Sequence, residues 1–198
     1  MKTLPSTNNL IEYLRSYGVS PSINDVNELT QILKIKSFKK GESFLEIGQT
    51  SNEVYFMLKG IARSYYRFPN GTEKTYFIYH ENSIFTDSVS FISQKPATEC
   101  LEAIEDIEVV AIAYEKLMEL FSKNHVLESI GRRISDNNFV FSQKRLRSMM
   151  NDDATLRYQK FKKYFGQISL RIPQNIIASY LGITPQSLSR LKREIGEI

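Results

Sequence analysis

The 198-residue chain holds one cysteine, Cys100, and two histidines, His80 and His125. A single thiol excludes an intramolecular disulfide framework, and with it a Cys-rich zinc site or a four-cysteine iron–sulfur cluster built by one chain. Two histidines leave little for a His-based catalytic metal centre, so the expectation is no metal and no catalytic site. No apolar run reaches the roughly 18 residues that a membrane-spanning helix needs. Residues 1–9 carry no apolar core of the secretory-leader kind, and the expected address is a reducing cytoplasm. What remains is ordinary for a folded chain: 41% hydrophobic, 24% charged and 12% aromatic residues. The length allows one or two domains with a substantial core.

Charge is distributed unevenly. Residues 132–198 hold 13 Lys and Arg against 5 Asp and Glu, a balance of +8, whereas residues 1–131 hold 13 against 17, a balance of −4. An acidic front and a basic back suggest two modules, the second facing a polyanion. The plainer alternative is a helical module with solvated lysines.

The front half changes period near residue 35. Residues 8–18 and 22–34 read as helices, the first with Leu10, Ile11, Leu14 and Tyr17 on one face and Gly18 at its stop. Short runs then alternate with turn signals: Ser43–Ile47, Glu53–Leu58, Ile61–Phe68, Thr72–Tyr79 and Leu101–Ala113. This spacing predicts an all-β barrel, roll or sandwich, with a hairpin at Asn70-Gly71. The aromatic group Tyr65, Tyr66, Phe68, Tyr76, Phe77 and Tyr79 reads as core or, alternatively, as the lining of an effector pocket.

Helical spacing returns over 114–122 and 125–150. In the longer stretch Leu127, Ile130, Ile134, Asn137 and Phe141 follow a 3-4 alternation. A polar residue at one seam position can specify register and oligomer state, so this helix is expected to form a dimer seam. Packing within the chain is the other reading. Residues 152–165 form a further amphipathic helix, with Asp152 and Asp153 at its positive end.

The stretch from Arg171 to Ile195 is the most informative. Ile176, Ile177, Ala178 and Leu181 keep helical spacing, Gly182 permits a left-handed turn, and Thr184 with Pro185 can open a second helix. Leu188, Leu191 and Ile195 supply its inner face. Helix, glycine turn and capped helix is the helix-turn-helix pattern; an αα-hairpin with a charged surface is the alternative. The second helix fits a B-DNA major groove. Its first turn can hold phosphate, with Thr184 adding a hydroxyl beside Pro185. Gln186 can pair with adenine and Arg190 with guanine. Ser187, Ser189, Lys192 and Arg193 are candidates for phosphate or base-edge contact.

Together these segments resemble the cyclic-AMP receptor protein/fumarate-nitrate regulator (Crp/Fnr) family of bacterial transcription factors. The resemblance rests on Lys40-Gly41-Glu42, Gly48, Val54–Gly60 and Ile177–Arg190, and spans nearly the whole chain. It implies an α+β chain: a cyclic-nucleotide-binding-like β-roll of jelly-roll type over residues 1–123, a dimerisation helix over 124–150, and a helix-turn-helix domain over 151–198. It also implies a homodimer on a palindromic operator and contact with RNA polymerase; the break between the two helices suggests a hinge near Met150-Asn151-Asp152. The matching cassette departs from the family pattern. Thr86, Asp87 and Ser88 stand where a Gly-Glu pair is expected, and Ala97-Thr98 where an Arg-Ser or Arg-Thr pair is expected. No arginine lies between Arg67 and Arg132. An unpaired buried phosphate is costly and Lys95 is a weak bidentate substitute, so cyclic AMP is not expected as effector. Haem held through His80 is an alternative, although a lone histidine is more often structural. Two other function classes compete: a cupin-type enzyme, for which the histidines are too few, and a helix-turn-helix that docks another protein, which the basic back half disfavours.

Overall fold

The computed structural model describes residues 7–197; side chains are described from Leu10 onward. The opening residues, read above for their lack of a leader, lie largely outside this range. Helices α1 (Thr7–Arg15) and α2 (Ile23–Gln31) come first. Ser22 caps α2 in a reciprocal capping box with Asp25. This helix stops at Gln31, and Leu33 already begins strand β1 (Leu33–Phe38). The chain then forms β2 (Ser43–Leu45), β3 (Glu53–Lys59), β4 (Ala62–Arg67), β5 (Glu73–Tyr79) and β6 (Ile84–Phe85). A short helix, α3 (Ser88–Ser93), precedes β7 (Cys100–Ala103) and β8 (Ile107–Ala113). The apolar run 101–113 is therefore two strands in different sheets, broken at Ile104-Glu105-Asp106.

Two four-stranded antiparallel sheets, ordered β1-β8-β3-β6 and β2-β7-β4-β5, close into a roll. Inward residues Tyr55, Met57, Ala62, Phe85, Leu101 and Val109 fill it. The β4–β5 hairpin turns at Asn70-Gly71 as expected, with the Thr72 amide donating to Asn70 Oδ1 at 3.0 Å.

Five helices complete the chain's back half and its link to the roll: α4 (Tyr114–Lys123), α5 (His125–Asn151), α6 (Ala154–Phe165) and, after a 3-10 turn at Gly166–Arg171, the pair α7 (Gln174–Leu181) and α8 (Pro185–Glu194). Helix α5 is one continuous element of 27 residues. Its first half lies on the roll. Leu127, Ile130 and Ile134 are buried with Leu10, Leu14, Leu29, Phe56 and Val110 of the same chain. Gly131 lets α4 lie close against α5, because a Cβ there would meet the Phe121 ring at 2.5 Å.

The expected seam thus needs correction. Leu127, Ile130 and Ile134 belong to the chain's own core, Phe141 packs on Phe77 and Tyr164, and only Asn137 of the five is exposed. Periodicity reported a buried face but not what buries it. The face left open lies one residue further round: Glu128, Gly131, Ser135, Asn138 and Ser142 border a groove of about 610 Å³ between α5 and the roll.

Ile130→Ala removes methyl groups from a core side chain with 2% exposure, and should cost about 2–5 kcal/mol. Urea midpoints should fall equally at low and high protein concentration. A residue buried only by a partner would give a concentration-dependent loss.

Candidate DNA-reading unit and the roll that carries it

The bihelical unit at the C-terminal end is built from local signals. Residue 173, a proline with φ −57°, starts α7. Gly182 ends it in the left-handed region at φ 71°, and a Cβ there would approach Met149 Cε to 2.8 Å. Thr184 caps α8, its Oγ1 accepting from the Ser187 amide at 3.1 Å, with Pro185 next in the first turn. Leu188 and Leu191 turn inward and are 1% and 6% exposed. Ile195, expected on that inner face, is 39% exposed, because the helix ends at Glu194.

The opposite face of α8 is open. Thr184, Pro185, Gln186, Ser187, Ser189, Arg190 and Arg193 are exposed and Lys192 is half-buried. The structure therefore brings all eight sequence-predicted reading residues to one short helix. The Thr184 hydroxyl is held by its cap, and lies 2.9 Å from the Ser187 hydroxyl.

This unit is fastened to the roll. Ile61, Ile78 and Ile104 of the roll join Tyr158, Phe161, Phe165, Ile177 and Leu181 in one apolar cluster. The Thr75 amide donates to Ser179 Oγ at 2.9 Å. From α5, Arg145 donates to the carbonyls of Tyr76 and Tyr180, at 2.8 and 2.7 Å, and lies 3.6 Å from the Tyr180 ring centre. Arg171 bridges Glu81 and Glu105 of the roll. His80 belongs to the same junction: its Nδ1 lies 2.9 Å from the Glu81 carbonyl, and its ring meets Tyr164 and Phe165 edge-on.

The cassette residues are placed differently from one another. Asp87 is the N-cap of α3, its Oδ1 accepting from the Ser90 amide at 3.0 Å. Thr86 Oγ1 donates to the Glu53 carbonyl and lies 2.8 Å from Ser51 Oγ. Ser88 opens α3, Ala97 is buried in the roll core, and Thr98 is exposed.

Sequence reasoning missed Glu99. It is 6% exposed, and its Oε2, like Asp87 Oδ2, makes no hydrogen bond among the described residues. Burial pushes its pKa up to about 7, the Asp87 charge adds to this, and a hydrogen bond with Ser64 opposes both. The signal was available: Ala97, Glu99, Leu101 and Ala103 alternate along the sequence into β7, and three of the four are apolar.

The aromatic group also divides. Tyr79 stacks on Phe85 inside the roll, with ring centres 4.5 Å apart. Tyr65 lies beneath Arg63, whereas Phe68 is 42% exposed. Among the described residues no cluster of three His, Cys, Asp or Glu side chains could hold a metal, and no helix is long and apolar enough to cross a membrane.

The raised Glu99 pKa has a definite sign. The folded chain holds this proton more tightly than the unfolded chain, where the ordinary value is 4.5. Stability from this group is full below about 4.5 and is lost as pH rises through about 7. Glu99→Gln should remove that loss, making the variant more stable than wild type at pH 8 by about 2–3 kcal/mol, with little gain at pH 5. Urea unfolding at both pH values checks this; a constant difference would show that Glu99 does not titrate in this range.

Comparison with known proteins places this arrangement. Residues 35–124 match the cyclic nucleotide-binding domain family. A search of curated protein sequences finds no match. Among solved structures, FixK2 from Bradyrhizobium japonicum is similar with TM-score 0.73 and 17% identity, over 83% of this chain and 84% of that one. A Crp/Fnr-family regulator from Eubacterium rectale gives 0.70 and 16%, over 93% and 87%. The c-di-GMP-responsive regulator CLP from Xanthomonas campestris gives 0.68 and 13%, over 88% and 91%. Residues 35–124 thus form a cyclic nucleotide-binding-type domain, and the chain as a whole has the architecture of the Crp/Fnr-type regulators.

Proposed function

We propose that this protein is a homodimeric, sequence-specific DNA-binding transcriptional regulator, not an enzyme, acting in the cytoplasm. The observation that carries this reading is the exposed face of α8. Polar and basic side chains stand outward, with the cap and the apolar residues fixing the helix behind them. The helix N-terminus and the basic back half supply phosphate attraction. Gln186 and Arg190 supply direct readout, each good bidentate contact being worth about 1–3 kcal/mol of discrimination. Ser187, Ser189, Lys192 and Arg193 take phosphate or base edges.

The dimer seam is proposed on the open face of α5. Phe139 and Leu146 are 65% and 52% exposed there, beside the groove described above. A symmetric partner would bury these side chains and set two α8 helices about 34 Å apart, one turn of B-DNA. RNA polymerase is the further partner. The hinge is placed at Met150–Asp152, between α5 and α6, where Asp152 is held by Lys160 at 2.6 Å and by Ser148.

Cyclic AMP is not the effector in this reading. A cyclic phosphate would be brought toward Asp87 and Glu99, two buried carboxylates without a cationic partner among the described residues. Those residues do not fit an anion. Haem has no support at His80, whose ring is engaged at the junction.

Selection from random duplex DNA at about 150 mM salt should return a palindrome. Arg190→Ala should weaken binding to it about tenfold or more and relax one position of each half-site. Gln186→Glu should move the preference at its own step from adenine toward cytosine. Enrichment unaffected by either change would refute the assignment of α8. Phe139→Glu should give a monomer by sedimentation equilibrium and abolish palindrome binding; an unchanged dimer would move the seam elsewhere.

A further inference from the structure

We propose that this chain binds an uncharged, flat bicyclic molecule carrying a hydrogen-bond donor, in a cavity of about 320 Å³ lined by α1, β5, the β5–β6 turn, α5 and α6. This cavity adjoins the larger groove and shares Asn138 and Ser142 of α5 with it. Only the cavity reaches α6, and only the groove reaches α4. No residue of α8 lines it, so the inference stands apart from the DNA-reading assignment.

Aromatic rings make much of its wall. Phe77 and Tyr79 come from β5, Phe141 from α5 and Tyr164 from α6. Ring centres are 6.1 Å apart for Phe77 and Tyr79, 5.8 Å for Phe77 and Phe141, and 5.1 Å for Phe141 and Tyr164. Tyr13 and Tyr17 of α1 also line the space, with their hydroxyls 2.6 Å apart and bonded to each other. Rings contributed by four elements favour an aromatic guest, held by offset and edge-on packing. An apolar cavity of about 150 Å³ accepts benzene, so twice that volume fits two fused rings.

The chemistry of the lining selects a neutral guest. Among the described residues no lysine, arginine, aspartate or glutamate lines the cavity. A charged molecule would lose hydration there with no countercharge in contact. His80 does not supply one, since its Nδ1 lies 2.9 Å from the Glu81 carbonyl and its ring packs edge-on against Tyr164. Several lining hydroxyls are already engaged within the chain. Ser83 Oγ donates to the His80 carbonyl at 2.6 Å, Thr86 Oγ1 to the Glu53 carbonyl at 2.8 Å, and Ser142 Oγ to the Asn138 carbonyl at 2.9 Å. The exposed carboxamide of Asn137 has no hydrogen-bond partner among the described residues, and it lines this cavity but not the groove. It is the polar residue that interrupts the apolar 3-4 stripe of α5. Its oxygen can accept a hydrogen bond from a guest. Apolar and aromatic walls with one convergent polar group are the usual make-up of a small-molecule site.

The cavity also lies against the helix that leads to the DNA-reading unit. Tyr164 precedes Phe165, which is buried in the cluster shared by the roll, α7 and α8. A guest here touches the roll and α6 at once.

Calorimetric titration of the full chain with indole tests this. Indole is uncharged, flat and bicyclic, with one N–H donor. Indene has the same shape without the donor, and indole-2-carboxylate adds a charge. Indole should bind saturably, one per chain. Indene should bind about 2- to 10-fold more weakly, the worth of one neutral hydrogen bond, and indole-2-carboxylate should not bind. Asn137→Leu should bring indole down to the affinity of indene. Asn137→Trp, which fills the cavity, should abolish binding of both. Met118→Trp fills the neighbouring groove instead, and should leave indole affinity as in wild type. Urea unfolding verifies that each variant is folded; Asn137→Leu, close in volume to the residue it replaces, decides the matter if Asn137→Trp does not fold. Absence of saturable indole binding overturns the proposal. So does equal affinity for indole and indene, binding of indole-2-carboxylate as tight as that of indole, or unchanged indole affinity in Asn137→Leu. Loss of binding in Met118→Trp with retention in Asn137→Trp would place the guest in the groove and overturn it as well.

Discussion

The structure turns on one apolar cluster that crosses from the roll to the helix-turn-helix. Ile61, Ile78 and Ile104 are roll residues, yet they are buried by α6, α7 and α8 rather than by their own sheets. With Tyr158, Phe161, Phe165 and Leu181 they make the two halves share a core. The polar contacts around it are specific but individually modest. Arg171 with Glu81 and Glu105 is partly exposed, and such pairs contribute little. Apolar burial holds the junction, while Ser179 on Thr75 and Arg145 on Tyr76 fix its register along β5.

That junction runs along one strand. Strand β5 faces two ways. Thr75 and Ile78 meet the helices, and Phe77 and Tyr79 face the roll and α5. The strand is itself the contact between the roll and α7. The buried acids Asp87 and Glu99 sit on that inner side. Each keeps a buried oxygen without a hydrogen-bond partner among the described residues.

Much of this was legible in the sequence. The roll, the Asn70-Gly71 hairpin and the Gly182–Thr184–Pro185 junction are local signals, because turn geometry and capping depend on neighbouring residues. Partners in space were not legible. The stripe Leu127, Ile130, Ile134 has the spacing of a buried face, but spacing does not distinguish a second chain from α1 and β8 of the same one. Helix α3 escaped because six residues, three of them serine, carry no periodicity. Asp87 was read as a departure from the cassette pattern, and is the cap that starts this helix. Glu99 was overlooked because it stands in the bend before β7, where a charged residue is expected to be solvated, and only the packed roll shows it buried.

The proposed reading of one duplex by two copies of α8 is tested most directly by hydroxyl-radical footprinting on the enriched duplex. The expected result is two equal protected patches related by a two-fold axis, their centres about one helical turn or 34 Å apart. A single patch, or uniform protection without a centre of symmetry, would contradict it.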